Sequence, residues 1–487
     1  MSEWFLPAEE RPWTSGNLVV PHIHGAGYFA RLLEVIESAG PEDRIFLAEW
    51  RGDPDEKLAE DGPTLGQVLS SAGRRGVEVR ALLWRSHTDK AELNAQENDH
   101  LGTQINESGG EALLDERVRR GGSHHQKLFV LRRKGRPQDD VAFVGGIDVS
   151  HGRRDDASHT GDNQAPPLDD RYGATPPWHD VMAEIQGPAV SHVLDTFSER
   201  WDDPTPVDHR NPYRALKHRL ARMPRHPGQL PDRWNPPPEA GPHNVQVLRT
   251  YPAKRPAYPF APEGERSVAR AYGRAFARAR RLVYIEDQYF WSDLVATALA
   301  DALRRSPELH VIAVVPRYPE EDNRVSGPPM MYGQRLAWDR LREAGGDRFA
   351  MYDIENAAGT PIYVHAKVCV VDDTWMTIGS DNLNLRSWTH DSEITCAVVD
   401  RDGVLPRELR TSLWAEHLGV APEDSRLADL SAAPGLWAER VGAPGSRVRR
   451  HEPAALPART RLWARAAYRT FYDPDGRPRT LRGTDRF

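Results

Sequence analysis

Ser123-His124-His125-Gln126-Lys127-Leu128-Phe129-Val130, with Phe143-Val144-Gly145-Gly146-Ile147-Asp148 after it, is matched later in the chain. The second copy reads Tyr363-Val364-His365-Ala366-Lys367-Val368-Cys369-Val370-Val371-Asp372, then Ile378-Gly379-Ser380-Asp381-Asn382. Each copy is a histidine, a lysine two residues on, an apolar strand, a turn, a second apolar strand and a pair of small residues. Chance placement of 19 His and 7 Lys in 487 residues gives about 0.3 His-x-Lys pairs. Two occur, with the same sequel, so the chain is read as duplicated. Residues i and i+2 of a strand share a face, so each imidazole points the same way as its ammonium. Lysine is scarce here against 64 basic residues in all. A lysine kept in so Arg-rich a chain stands where the two side chains are not interchangeable.

Outward from these stretches, the apolar spacing predicts the same order of elements twice. In the first half, helices are expected over Tyr28–Ser38 and Pro63–Ala72, and strands over Arg44–Trp50 and Val77–Trp84. In the second, helices are expected over Glu265–Arg280 and Ser292–Arg305, and strands over Leu282–Phe290 and Leu309–Pro316. A further helix is expected at Leu405–Gly419. Such alternation implies α/β units around buried sheets. The expected organisation is one lobe at 17–205, a Pro-rich connection at 206–242, a second lobe at 243–420 and a tail at 421–487. Within the tail, Tyr468-Arg469-Thr470-Phe471-Tyr472 is aromatic enough to pack back onto a lobe.

Composition narrows the class. A 39% hydrophobic fraction and 14 Trp build real cores, which excludes wholesale disorder. No apolar run reaches a membrane span, and the first residues lack a secretory pattern. Two cysteines, Cys369 and Cys396, form no disulfide framework and are read as buried thiols. The expectation is a cytoplasmic protein, with transient contact at a membrane surface, from a GC-rich bacterial genome. A net charge of −7 argues against nucleic acid as the partner.

The residues resemble the phospholipase D superfamily, whose duplicated signature is His-x-Lys-x4-Asp followed by Gly-Gly or Gly-Ser. The second copy carries all of it, with Asp372 as the motif aspartate. The first has Arg132 at that place, and Asp139 or Asp140 is the candidate replacement. Trp178-His179-Asp180, Gly187-Pro188-Ala189-Val190, Tyr284-Ile285-Glu286-Asp287-Gln288-Tyr289-Phe290 and Glu416-His417-Leu418-Gly419 are similar to the phosphatidylcholine-type members. The resemblance implies two similar α/β lobes with the active site at their seam, a phospholipid substrate and no cofactor or metal. It implies a phosphohistidine intermediate, with His125 attacking phosphorus and His365 protonating the leaving alkoxide. Lys127 and Lys367 would clamp the non-bridging oxygens, with Asn382 and Asp148 reaching the same pocket, and Gly145, Gly146, Gly379 and Ser380 close to substrate. By the family pattern, Glu393 orients His365, and Asp155, with Asp156 competing, orients His125. The alternatives are a phosphatidyltransferase of the cardiolipin-synthase type, a nuclease, or a phospholipid-binding protein without turnover. His22-Ile23-His24 and His179-Asp180 lack the spacing of a zinc site and are read as surface or capping histidines. His124 is read as structural.

Overall fold

The computed structural model describes residues 3–86, 95–208, 212–220, 224–232, 234–320, 327–400, 402–482, 484 and 487. The first half supplies β1 (Trp13–Ile23), β2 (Arg44–Glu49), β3 (Glu78–Trp84), β4 (Glu111–Asp115), β5 (Leu128–Arg132), β6 (Val141–Gly145), β7 (Trp178–His179) and β8 (Val181–Gln186). The second supplies β9 (His243–Tyr251), β10 (Glu265–Arg266), β11 (Leu282–Asp287), β12 (His310–Val314), β13 (Phe349–Ile354), β14 (Tyr363–Val364), β15 (Lys367–Val371), β16 (Trp375–Gly379), β17 (Glu393–Val399) and β18 (Val448–Arg450).

All but β7 and β14 join one 16-stranded sheet. Outward from its middle, one side runs β1-β8-β6-β5-β2-β3-β4 and the other β9-β17-β16-β15-β11-β12-β13. The two orders are the same, position for position. In each half the outer three strands are parallel and the rest antiparallel. The halves meet where β1 pairs antiparallel with β9, Trp13 opposite Gln246 and Asn17 opposite His243. An antiparallel join between like strands is what a two-fold relation requires. The fold is therefore two similar α/β lobes, as the repeat implies, with their sheets fused edge to edge.

Helices repeat in the same order. Gly25–Glu37 follows β1 as Ser267–Arg278 follows β9 and β10, and Ala189–Trp201 follows β8 as Val404–Leu418 follows β17. Leu65–Arg74 shows why such segments are helical. Thr64 accepts the Gln67 N–H, Gln67 reaches back to the Thr64 backbone, and Leu65, Val68, Leu69 and Ala72 are buried on one face. One core lies between the lobes and takes Val144, Ala183, Phe197 and Trp201 from the first, and Val245, Ile378, Val398 and Trp414 from the second. Each lobe has a further core under its outer helices. From the tail, β18 extends the sheet beside β13, and the buried Tyr468 donates to the Trp291 carbonyl at 2.8 Å.

The strand expected to Phe290 ends at Asp287, whose carboxylate accepts the Tyr289 and Phe290 N–H groups and turns the chain, leaving Phe290 at φ 43°. Residues 209–211, 221–223 and 233 of the 206–242 connection lie outside the described residues. The rest of it includes one helix, Pro212–Leu220, before the chain re-enters the sheet at His243.

Candidate active site

Each histidine stretch is tied to the opposite lobe. The His125 N–H donates to the Ser392 carbonyl at 2.9 Å, and the Ser392 N–H to the Ser123 carbonyl at 3.0 Å. In the other copy β14 runs parallel to β7, and the His365 N–H donates to the His179 carbonyl at 2.8 Å. Main-chain pairing thus carries both imidazoles to the boundary between the lobes.

The carboxylates cross as well. His125 Nδ1 lies 2.9 Å from Glu393 Oε2, and His365 Nδ1 lies 2.6 Å from Asp180 Oδ2. The expected pairing is corrected on both counts. Glu393 faces His125, not His365, and Asp180, not Asp155, faces His365. Asp155 instead folds the loop after the first motif, accepting the Trp178 N–H at 2.8 Å and the Gly161 N–H at 3.2 Å. Asp156 accepts from Ser158 at the surface. Asp180 and Glu393 hold equivalent places in the sheet. Gly145 pairs with Met182 and Gly379 with Thr395, so each acid sits two residues before the partner of its motif glycine.

The small-residue pairs serve these acids. A Cβ on Gly146 would lie 2.2 Å from Asp180 Oδ1, and one on Gly145 2.7 Å from the Val181 carbonyl. Ser380, the counterpart of Gly146, donates to Glu393 at 2.5 Å, and a Cβ on Gly379 would meet Thr395 Oγ1 at 2.3 Å.

The lysines are buried beside the histidines. Lys127 Nζ lies 3.5 Å from Asp148 Oδ1 and donates to the His125 carbonyl at 3.3 Å. Lys367 donates to the His365 carbonyl and, at 3.3 Å, to Gln288 Oε1. Burial and the two ammonium groups hold the His125 imidazole far below its ordinary pKa. His365 is lowered in the same way by burial, Lys367, Arg153 and Lys127. Both lysines thus act on both imidazoles. Burial also brings Lys367 down to about 8 and, with Asp391 nearby, lifts Glu393 to about 8. Asn382 is buried, and its Oδ1 has no partner among the described residues.

Further side chains join the site that the two motifs did not announce. The Arg153 guanidinium lies 3.7 Å over the Trp178 ring, which packs 4.9 Å from His365. Glu49 ends β2 as Asp287 ends β11, and both carboxyls are raised by burial near a motif lysine, Asp287 to about 6. A cavity of about 700 Å³ opens beside the second motif, lined by Gln288, Tyr289, Trp291, Tyr318, Met330 and Tyr363 among others.

The motif aspartates differ. Asp372 accepts the backbone N–H groups of Arg280, Arg281 and Leu282 and pins the start of β11. In the first copy Asp140, not Asp139, faces Arg132, with its carboxylate 2.6 Å from Arg132 Nε and 2.6 Å from the Arg133 N–H. It closes its own hairpin rather than pinning a neighbouring strand. His24 and His179 are not surface groups but lie buried together with His159, 4.7 to 5.8 Å between ring centres. His124 is fully buried.

The model of a family described as "Phospholipase D" matches residues 51–296, and that of "Cardiolipin synthase, PLD-like domain" matches 273–412. Among curated relatives, "Phospholipase D alpha 2" of Oryza sativa subsp. japonica is 26% identical over 81% of this chain and 65% of its own length. "Phospholipase D beta 2" of Arabidopsis thaliana is 28% identical over 77% of this chain and 55% of its own length. The chain thus spans less than two thirds of these relatives. Among solved structures, phosphatidylserine synthase of Haemophilus influenzae Rd KW20 superposes with a TM-score of 0.57 at 14% identity, covering 96% of this chain and 95% of that one. At that identity the likeness is one of fold.

Proposed function

The chain belongs to the phospholipase D family, and from that premise we propose that it cleaves the distal phosphodiester of glycerophospholipids through a phosphohistidine. The observation that carries the reading is the crossed pair of His–carboxylate contacts, each beside a buried lysine.

A phosphodiester anion repels nucleophiles, and a neutral imidazole can attack it without first losing a proton, as a hydroxyl must. His125 attacks phosphorus, the bond to the head-group oxygen breaks, and His365 gives that oxygen a proton. In the second displacement His365 takes a proton from water or an alcohol, whose oxygen displaces His125 and yields phosphatidic acid or a new phosphodiester. Lys127, Lys367 and Arg153 bear on the non-bridging oxygens, where the transition state concentrates charge. Burial, and after it the same cations, disfavour an imidazolium in the free site. The substrate's own negative charge offsets the cations and so favours the protonated form of His365. The adjoining cavity carries aromatic and thioether side chains that suit the apolar part of a lipid, and charged ones, among them Arg171, Arg317, Arg449 and Asp353, that suit a polar head. No helix among the described residues is long and apolar enough to cross a membrane.

The match of the second half to the cardiolipin synthase model supports a phosphatidyltransferase as the second reading. One experiment separates the two. Purified protein is given phosphatidylcholine vesicles or phosphatidylglycerol vesicles, with and without a primary alcohol, and with single-stranded DNA as a control. Phosphatidic acid, and its alkyl ester when alcohol is present, is the expected product. Cardiolipin from phosphatidylglycerol alone would select the transferase, and cleavage confined to DNA would overturn both.

A further inference from the structure

Away from the phosphorus site, six ionisable side chains from distant parts of the chain meet in the interior between the lobes. His24 comes from the end of β1, His159 from the loop after the first motif, and His179 from β7. Glu286 is the penultimate residue of β11, and Glu416 and His417 lie on the helix Val404–Leu418. His159 and His179 are fully buried, and His24 nearly so. One donor atom from each of His24, His159, His179 and Glu416 can be chosen so that all lie within 4.8 Å of one another.

Hydrogen bonding alone leaves this cluster incomplete. Glu416 takes His24 Nε2 at 2.8 Å on one oxygen, and His159 Nε2 and Arg447, each at 3.0 Å, on the other. If His24 donates through Nε2, its Nδ1 carries a lone pair. That Nδ1 is buried with no partner among the described residues. His179 repeats the pattern, with Nε2 2.7 Å from Glu286 Oε2 and a buried, unpartnered Nδ1. Two bare imidazole lone pairs inside a protein are costly unless something accepts them. The outer contacts are those that metal-binding histidines use, where a carboxylate on the far nitrogen fixes ring and tautomer. Glu286 stands so to His179, itself held by His417 at 2.9 Å, and Asp155 stands 3.4 Å from His159 Nδ1.

We propose that His24, His159, His179 and Glu416 form a site for one divalent transition-metal ion of the zinc class, clasping the two lobes together. Three imidazoles and a carboxylate suit a borderline cation and not calcium or magnesium, which take oxygen. Four-coordinate zinc holds such donors about 3.4 Å apart, so atoms now up to 4.8 Å from one another draw together on loading. Glu416, the most exposed of the four, gives the ion its way in. The ion is separate from the reacting phosphorus but linked to it. His179 precedes Asp180, which orients His365, and its carbonyl takes the His365 N–H.

The test uses the full chain. Protein stripped with a chelator is loaded with Zn²⁺ or Co²⁺, desalted and assayed for metal by mass spectrometry, with the visible spectrum of the cobalt form recorded. About one ion per chain and the intense absorption of four-coordinate cobalt are expected. His159→Ala and Glu416→Gln should each abolish retention, and Asp155→Asn should weaken it about 10–100-fold. His125→Ala and His365→Ala should leave retention unchanged. No retained ion in wild type, the weak spectrum of six-coordinate cobalt, or loss of the ion in the two active-site variants would overturn the proposal. The wild-type measurements decide the matter even if a ligand variant fails to fold.

Discussion

At the level of single residues, the active-site carboxylates work across the boundary between lobes. Asp180→Asn and Glu393→Gln remove the carboxyl that meets each imidazole while nearly keeping its size. Each should lower kcat by about 10²–10⁴ with little change in KM. Steady-state kinetics on a chromogenic phosphodiester measures this, and a variant at full kcat would break the assigned pairing. Glu56 yields a prediction of a different kind. It is fully buried, neither carboxylate oxygen has a partner among the described residues, and burial with Asp162 nearby lifts its pKa from 4.5 to about 9. The folded chain therefore holds a proton that the unfolded chain releases above pH 4.5. Its stability contribution is complete below that pH and lost as pH rises towards 9. Glu56→Gln should stabilise the protein by roughly 3 kcal/mol at pH 7 and by almost nothing at pH 4. Denaturant melts at the two pH values check it, and an equal gain at both would refute the cause given.

Among the elements, the β5–β6 hairpin departs most from its counterpart. Arg132 is 2% exposed and rests on Asp140 and on the Asn235 carbonyl. Asp140→Ala leaves a buried guanidinium without its counter-charge and should destabilise by about 3–5 kcal/mol. Replacing both, Arg132→Met with Asp140→Leu, should recover most of that loss, as read by thermal unfolding. Activity per folded molecule at low temperature should stay near wild type, because the hairpin tip is remote from His125. The elements legible in the sequence were those with one clear period. The helix Gly25–Glu37 and the strands β2, β3, β11 and β12 fall within a few residues of expectation. The two strands that fuse the lobes carry no such period. β1 is broken by Gly16, Pro21 and His22, and β9 mixes apolar residues with Gln, Arg and Thr yet is buried throughout. In the site, the motif histidines and lysines were plain because their spacing repeats. Asp180 was hidden by length, since 35 residues separate it from Gly145, against 14 between Gly379 and Glu393. Which lobe an acid serves is a matter of tertiary contact that spacing along the chain does not encode.

For the molecule as a whole, the fused sheet and the core between the lobes make the halves interdependent. Val144, Ala183 and Trp201 on one side lie in the same core as Ile378, Val398 and Trp414 on the other. A chain cut in two within 224–242 should give fragments with no turnover alone, because each keeps one histidine and loses the acid that orients it. Mixing them should restore phosphodiester cleavage, with a rate that rises with fragment concentration. Turnover by either fragment alone would contradict the crossed arrangement. That crossing bears on where such a chain comes from. A free-standing half, with one histidine, one lysine and one acid, cannot supply its own imidazole's partner. It becomes complete only by self-association about a dyad through the β1–β9 ladder, each copy lending its acid to the other. The present chain is then a tethered homodimer whose copies have since drifted apart at Arg132, and every later change to one orienting acid has been judged by natural selection through the histidine of its twin.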